Sequence, residues 1–303
     1  MLAVAASYLE VIAAKARVAS ERAQLETAES VYEQTAQQHA RGLAAQLDLD
    51  QDLVRAQTER QRLTTMENDL GRQKINLARL TGLPPNDKYD ISDDFDYSPA
   101  PVLSVDEAVA QALAGRADLK TAEAQVKAAE RTRTAARAER LPSLSASADY
   151  GEIGTQFNQG RSTYTVTGTL NIPIWQGGRV GGDVAQAEAA LRQRRAELAD
   201  TRGRIESDVR NAYLDLEAAA SQVELSKNNL QVARENLRLT KEKFESGVSN
   251  SVDVSQAQQV MASADLDYIT ALFAHDLAKL SLARALGGAE GRLGAYLRVK
   301  EAQ

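Results

Sequence analysis

Two aspartates stand where a helical chain turns back on itself. Asp48 follows the segment Gly42–Leu47, and Asp253 follows Gly247-Val-Ser-Asn-Ser-Val. A carboxylate in that position can accept hydrogen bonds from the free N–H groups of a helix start, where the helix dipole also favours it. It can equally present negative charge to whatever passes the turn, and a capped carboxylate keeps that charge. His39 and His275 fall where apolar residues recur, which favours packing over ligation, and neither has a His-Glu-x-x-His spacing. Gly177-Gly-Arg-Val-Gly-Gly182 lies between a strand pattern and a helix pattern but lacks the Gly-Lys-Ser/Thr of a phosphate loop. It reads as a flexible joint. No Ser-His-Asp set and no close carboxylate pair marks a catalytic centre. Without cysteine, no disulfide framework or thiolate metal site can form. The chain is therefore expected to be no enzyme and to hold neither cofactor nor metal.

The elements that position the two aspartates follow from a spacing of seven. Val209, Leu216, Val223, Leu230, Leu237 and Phe244 lead to the second turn, and Val254, Met261, Tyr268, His275 and Leu282 lead away from it. A strict heptad keeps a straight seam on an under-wound helix and predicts left-handed supercoiling. No proline occurs between Gly178 and Ser246, so one helix on the order of 100 Å long is expected there.

The same unit occurs twice. Tyr8–Gly82 aligns without a gap on Tyr213–Gly287, with 17 identities in 75 positions. Gly42 matches Gly247, Asp48 matches Asp253, and Lys74 matches Lys279. The heptads repeat as Val4, Val11, Val18, Leu25, Tyr32 and His39, then Leu49, Ala56, Leu63, Leu70 and Leu77. Register and turn survive together, as expected of a duplicated helical hairpin. The segment Ser104–Ser207 precedes only the second copy, so the chain is expected to be truncated, lacking most of the front half of its first repeat.

Six regions follow: a first hairpin over 1–82 with its tip at 41–48, a linker over 83–103, a short and a long helix over 104–141, a β-hairpin over 142–176, a longer helical hairpin over 177–287 with its tip at 246–253, and a tail over 288–303. The first helix is expected from about Ala5 to Ala40, with Asp48 opening the return helix. Ser104-Val-Asp-Glu107 has the form of a capping box, Asp118 is expected to cap the long helix, and Gly82-Leu-Pro-Pro stops the first hairpin. After Pro142 the period becomes two. Leu144, Ala146, Ala148 and Tyr150 alternate with Ser143, Ser145, Ser147 and Asp149, and Tyr164, Val166, Gly168, Leu170 and Ile172 alternate with Thr165, Thr167, Thr169 and Asn171. Length and pattern suit transmembrane β-barrel strands, with Tyr150, Tyr164 and Trp175 as membrane-interface aromatics. A hairpin packed on a helix in a soluble coiled-coil protein is the alternative. Net charge is −6, with 36 basic and 42 acidic residues, and no basic block points to nucleic acid. Met1–Ala14 carries Glu10 and lacks a basic start, so it reads as helix and not as a signal peptide. No apolar run reaches the length of a transmembrane helix.

Taken together, the duplicated hairpin with its Gly-then-Asp tips, Arg116-Ala-Asp-Leu119, Leu141-Pro-Ser-Leu144 and Leu170-Asn-Ile-Pro-Ile-Trp-Gln-Gly-Gly178 resemble the outer-membrane efflux protein family, the TolC-like exit ducts of Gram-negative bacteria. The resemblance spans Tyr8 to Gly287. It implies a mainly α fold, an α-barrel protomer of duplicated coiled-coil hairpins with a β-hairpin of transmembrane-barrel type. It implies a homotrimer, with a 12-stranded barrel among outer-membrane lipids and a periplasmic helical tunnel. An adaptor (membrane fusion) protein would dock at the tips Gly42, Leu43, Gly247 and Val248, and an inner-membrane pump would deliver substrate for efflux or type I secretion. Asp253 and Asp48 would ring the channel constriction. The chain departs from the family in having one strand pair, so a trimer would supply six strands, fewer than the usual minimum of eight. A Tyr and an Arg that often bond across the closed tip are Phe244 and Ser249 here, and a second acidic position is Gln256.

Overall fold

The computed structural model describes residues 2–84, 89–91, 95–100, 104–154 and 160–288. Parts of the linker (85–88, 92–94, 101–103), the middle of the β-loop (155–159) and the tail from 289 lie outside the described residues. The chain divides into two units, Met1–Gly115 with Ile205–Gln303, and Arg116–Arg204. Six helices and two strands occur in the order α1 (Leu2–Ala40), α2 (Gln46–Thr81), α3 (Val105–Gly115), α4 (Ala117–Ala138), β1 (Ser143–Ile153), β2 (Arg161–Asn171), α5 (Arg179–Glu245) and α6 (Ser251–Ala285). The fold is mainly α with one antiparallel β-hairpin, as the periodicities predict.

In the first unit the heptad seam becomes the core. Val209, Leu216, Val223, Leu230, Leu237 and Phe244 are all buried. The helix α5 carries them over 67 residues, about 100 Å at 1.5 Å per residue. On the partner helices Val11, Val18, Leu25, Ala56, Leu77, Val254, His275 and Leu282 are buried at the expected positions. Near the tips, Val31, Leu237, Phe244, Val254 and Ala257 form one cluster, which joins α1 to the second hairpin. At the other end Val11, Ile12 and Leu77 close on Ile91 of the linker, with Tyr89 and Phe95 against them. Three lysines hold the described linker residues, Lys15 donating from α1 to Ile91 O at 2.5 Å. Lys74 Nζ donates to Tyr89 O at 3.2 Å, and Lys279 Nζ donates to Ser98 O at 3.1 Å. Lys74 and Lys279 are the two that the duplication makes equivalent.

In the second unit α4 lies antiparallel to the start of α5. Arg202 meets Glu123 at 3.0 Å, Arg195 meets Glu130 at 2.8 Å, and Arg137 meets Glu188 at 2.5 Å. On each helix the partners are seven residues apart, the spacing of interhelical charges flanking a coiled-coil seam. β1 and β2 form a two-stranded sheet in which Ser143 faces Asn171 and Ile153 faces Arg161.

Helix starts differ in detail from expectation. Ser104 and Glu107 do form a reciprocal capping box, with Ser104 N–H donating to Glu107 Oε2 at 3.0 Å and Glu107 N–H to Ser104 Oγ at 3.3 Å. For α4 the cap position is Arg116, not Asp118. Arg116 has the extended backbone of a cap, Asp118 is the second residue of the helix, and the two side chains meet at 2.7 Å. That guanidinium holds the Asp118 carboxyl below the usual carboxylate range. The return helix α2 starts at Gln46, two residues before Asp48, and α1 starts at Leu2.

Candidate functional site

The two tips are built alike. Gly42 and Gly247 adopt φ of +70° and +75°, a left-handed conformation open to glycine at little cost. Gly42 N–H donates to His39 O and Leu43 N–H to Gln38 O; Gly247 N–H donates to Phe244 O and Val248 N–H to Lys243 O. This is a Schellman ending at both tips. Each motif turns the residue after glycine outward, leaving Leu43 and Val248 largely exposed. His39 adds a contact absent from the other tip, its Nδ1–H donating to Ala44 O at 2.9 Å.

Neither aspartate is the N-cap residue. Asp48 is the third residue of α2 and accepts from Ala45 N–H at 3.3 Å. For α6 the cap is Asn250, whose Oδ1 accepts from Asp253 N–H at 2.9 Å. Asp253 is exposed in the first turn, and its Oδ2 accepts from Ser249 Oγ–H at 2.7 Å. Asn250 thus does the capping expected of Asp253, because its position, not that of Asp253, has the extended backbone a cap needs.

In the β-hairpin the register pairs like with like. Leu144 faces Leu170, Ala146 faces Gly168, Ala148 faces Val166 and Tyr150 faces Tyr164. Opposed residues share a face of an antiparallel sheet, so one face is apolar. The other pairs Ser145 with Thr169, Ser147 with Thr167 and Asp149 with Thr165. Every described strand residue is exposed. Among the described residues no helix covers this hairpin, unlike the packed arrangement left open by the sequence. Tyr150 and Tyr164 are 78 % and 80 % exposed, and Trp175, beyond the other end of β2, is 88 % exposed. Each strand has eleven residues, the length that a strand tilted by about 45° needs to cross an outer-membrane apolar band.

No close carboxylate pair is legible in the sequence, yet the fold makes one. Glu21 of α1 hydrogen-bonds Glu59 of α2, with Arg62 beside them. Glu21 is only 3 % exposed and its Oε1 has no partner. Burial, then the bond to Glu59, push the Glu21 carboxyl up to about 7. Arg62 Nη1 donates to both oxygens of Glu59, at 3.3 and 3.1 Å. Only the charged residues at buried-side heptad phases could have signalled this pair, and their meeting depends on how α1 and α2 rotate. His275 is buried against Tyr97, ring centres 5.0 Å apart. Among the described residues no three His, Asp or Glu side chains converge on a metal position, and no helix is long and apolar enough to cross a membrane.

Paired coiled-coil hairpins with matched tips, together with an amphipathic β-hairpin, make up a TolC-like fold. Residues 108–288 match the family described as Outer membrane efflux protein. The chain belongs to that family and is assigned to the outer membrane. It is 26% identical over 297 residues to the pyoverdine export outer membrane protein OpmQ of Pseudomonas aeruginosa, across 94% of this chain and 60% of that protein. It is also 26% identical over 196 residues to the outer membrane efflux protein BepC of Brucella suis, across 63% of this chain and 42% of that protein. The fold matches the outer membrane protein VceC of Vibrio cholerae with a TM-score of 0.75 at 22% identity, covering 95% of this chain and 70% of that one. It matches the open state of the Neisseria gonorrhoeae MtrE outer membrane channel with a TM-score of 0.76 at 20% identity, covering 95% and 66%. The chain spans 60% or less of the length of these two curated relatives.

Proposed function

We propose that the chain is a subunit of an outer-membrane exit duct in a tripartite efflux or type I secretion system, a passive conduit across periplasm and outer membrane. It catalyses no reaction. The observation that carries this reading is the β-hairpin, whose apolar face is covered by nothing among the described residues and is matched pair by pair across the two strands. An unpaired apolar face with open strand edges is a liability in water. Lipid on that face and further strands at both edges remove it. The partners in this reading are two further copies of the chain, a periplasmic adaptor at the exposed tips Gly42-Leu43 and Gly247-Val248, and an inner-membrane pump. Asp253, with Asp48, forms acidic rings at the constriction that favour cations.

The membrane reading is tested by charge placement. Val166→Arg on the apolar face should deplete the protein from the outer-membrane fraction, at a cost of about 2–4 kcal/mol near the midplane. Thr167→Arg on the hydroxylic face should leave it there. Equal behaviour of the two variants would return the soluble coiled-coil reading. At the tips, Gly247→Trp should weaken adaptor crosslinking, and Asp253→Asn should reduce cation preference in planar-bilayer recordings of the trimer. Unchanged selectivity with lowered thermal stability would leave Asp253 a helix-start residue only.

A further inference from the structure

A groove of about 830 Å³ runs between α1, α2 and α6 within the first unit, in the size range of small-molecule sites. Two residues that line it carry a buried acceptor without a partner, Glu21 Oε1 from α1 and Gln258 Oε1 from α6. A buried acceptor without a donor costs free energy, and two of them at one groove call for a group that donates several hydrogen bonds at once. The other charged groups lining the groove all come from α2, and each is engaged. Arg55 pairs with Asp52 at 3.4 Å, Arg62 with Glu59 at 3.1 Å, and Asp50 accepts from Gln46 at 2.8 Å. From α6 the lining contains no titratable side chain. Among the described residues no cation pairs with Glu21, since Arg62 beside it is engaged by Glu59, and burial sets Glu21 apart from Asp50, which is exposed. Val54, Met66 and Leu266 give the same groove an apolar wall.

We infer that this groove binds a small organic ammonium ion, its charged head at Glu21 and Gln258 and its apolar body along Val54, Met66 and Leu266. An ammonium supplies three donors and one positive charge, which is what the two acceptors and the uncompensated carboxyl lack. Binding requires Glu21 ionised, so the proton it retains near neutral pH leaves as the amine enters. The site does not rest on the exit-duct reading, since all its residues lie in the helical hairpins. The second repeat has no equivalent, because Ser226, Ala264 and Asp267 stand where the first has Glu21, Glu59 and Arg62.

The test is calorimetric titration of the purified full chain with tyramine, and with tyrosol, which carries a hydroxyl in place of the amine. Tyramine should bind at least about tenfold more tightly, the effect of a charge-assisted over a neutral hydrogen bond. Its affinity should rise about tenfold from pH 6 to pH 8 as Glu21 loses its proton. Buffers of different ionisation heat should report proton release at pH 7. Glu21→Gln, which keeps the shape of the protonated acid, should abolish the preference and the proton release. Glu59→Gln should keep binding but move its pH dependence lower, because Glu59 helps hold the proton on Glu21. No tyramine binding, equal binding of tyrosol, or an unchanged preference in Glu21→Gln would each overturn the assignment.

Discussion

The two helical hairpins share a register but not a chemistry. Arg60 pairs with Glu29 across the first, and Arg234 pairs with Asp265 across the second at 3.2 Å. Glu29 corresponds to Arg234 and Arg60 to Asp265 in the duplication. The ion pair has kept its place between the helices and exchanged its signs. Inside, the hairpins differ more. The first buries Asp52, which accepts from Thr35 Oγ1 at 2.8 Å and meets Arg55. The second has Thr240 and a buried Ala257 at the equivalent positions. The difference teaches that duplication preserved the geometry of contact, while each seam found its own way to satisfy polar groups.

That lesson can be broken by moving one residue without its partners. Ala257→Asp places a carboxylate in the second seam beside Thr240 but without the Arg55 equivalent, which is Val260. We expect a loss of about 3–5 kcal/mol, as for a buried charge lacking its cation, read as a lower denaturation midpoint. If the loss is small, the seams are interchangeable even for charge.

The tips should behave alike. An added Cβ meets nothing within 4 Å at Gly42 or Gly247, so alanine there costs only the left-handed backbone. Both Gly42→Ala and Gly247→Ala should destabilise by about 1–2 kcal/mol. Clearly unequal values would mean that His39, bonded to Ala44 in the first tip only, alters how that tip tolerates strain.

The Glu21 pair exists only in the first hairpin, and pH should reveal it. The folded state raises the Glu21 carboxyl to about 7 from an ordinary 4.5, so folding takes up a proton between those values. Stability therefore falls as pH rises through that window, and the contribution of the protonated pair is gone above it. Glu21→Gln should flatten the stability profile between pH 5 and pH 8, leaving it unchanged at pH 5 and raised at pH 8. A parallel drop in variant and parent would remove Glu21 as the cause.

The smallest effect concerns the exchanged ion pair. Arg60→Asp sets two acids against each other and should cost roughly 0.2–1 kcal/mol, as for exposed pairs. Adding Glu29→Arg rebuilds the polarity of the second hairpin and should restore that loss, a coupling that a double-mutant cycle measures. Additive losses would show that position alone does not define the pair.

The sequence by itself determined the periodic features. The spacing of seven named six residues on α5, Val209 to Phe244, and all are buried, because a heptad returns each side chain to the same face whatever it packs on. The glycines at 42, 82 and 247 marked left-handed endings, because only that residue enters the conformation freely. Alternation from Leu144 to Leu170 marked two strands, because their side chains point to opposite faces in turn. Helix starts were less legible: Asn250 and Asp253, three residues apart, compete for one cap, and only backbone geometry chooses. The tertiary structure alone decided what meets across helices. Glu21 and Glu59, the shared groove of Glu21 and Gln258, and the grip of Lys74 and Lys279 on the linker all depend on helix rotation and axial register. Those are set by the summed packing of the whole seam, which no local period encodes.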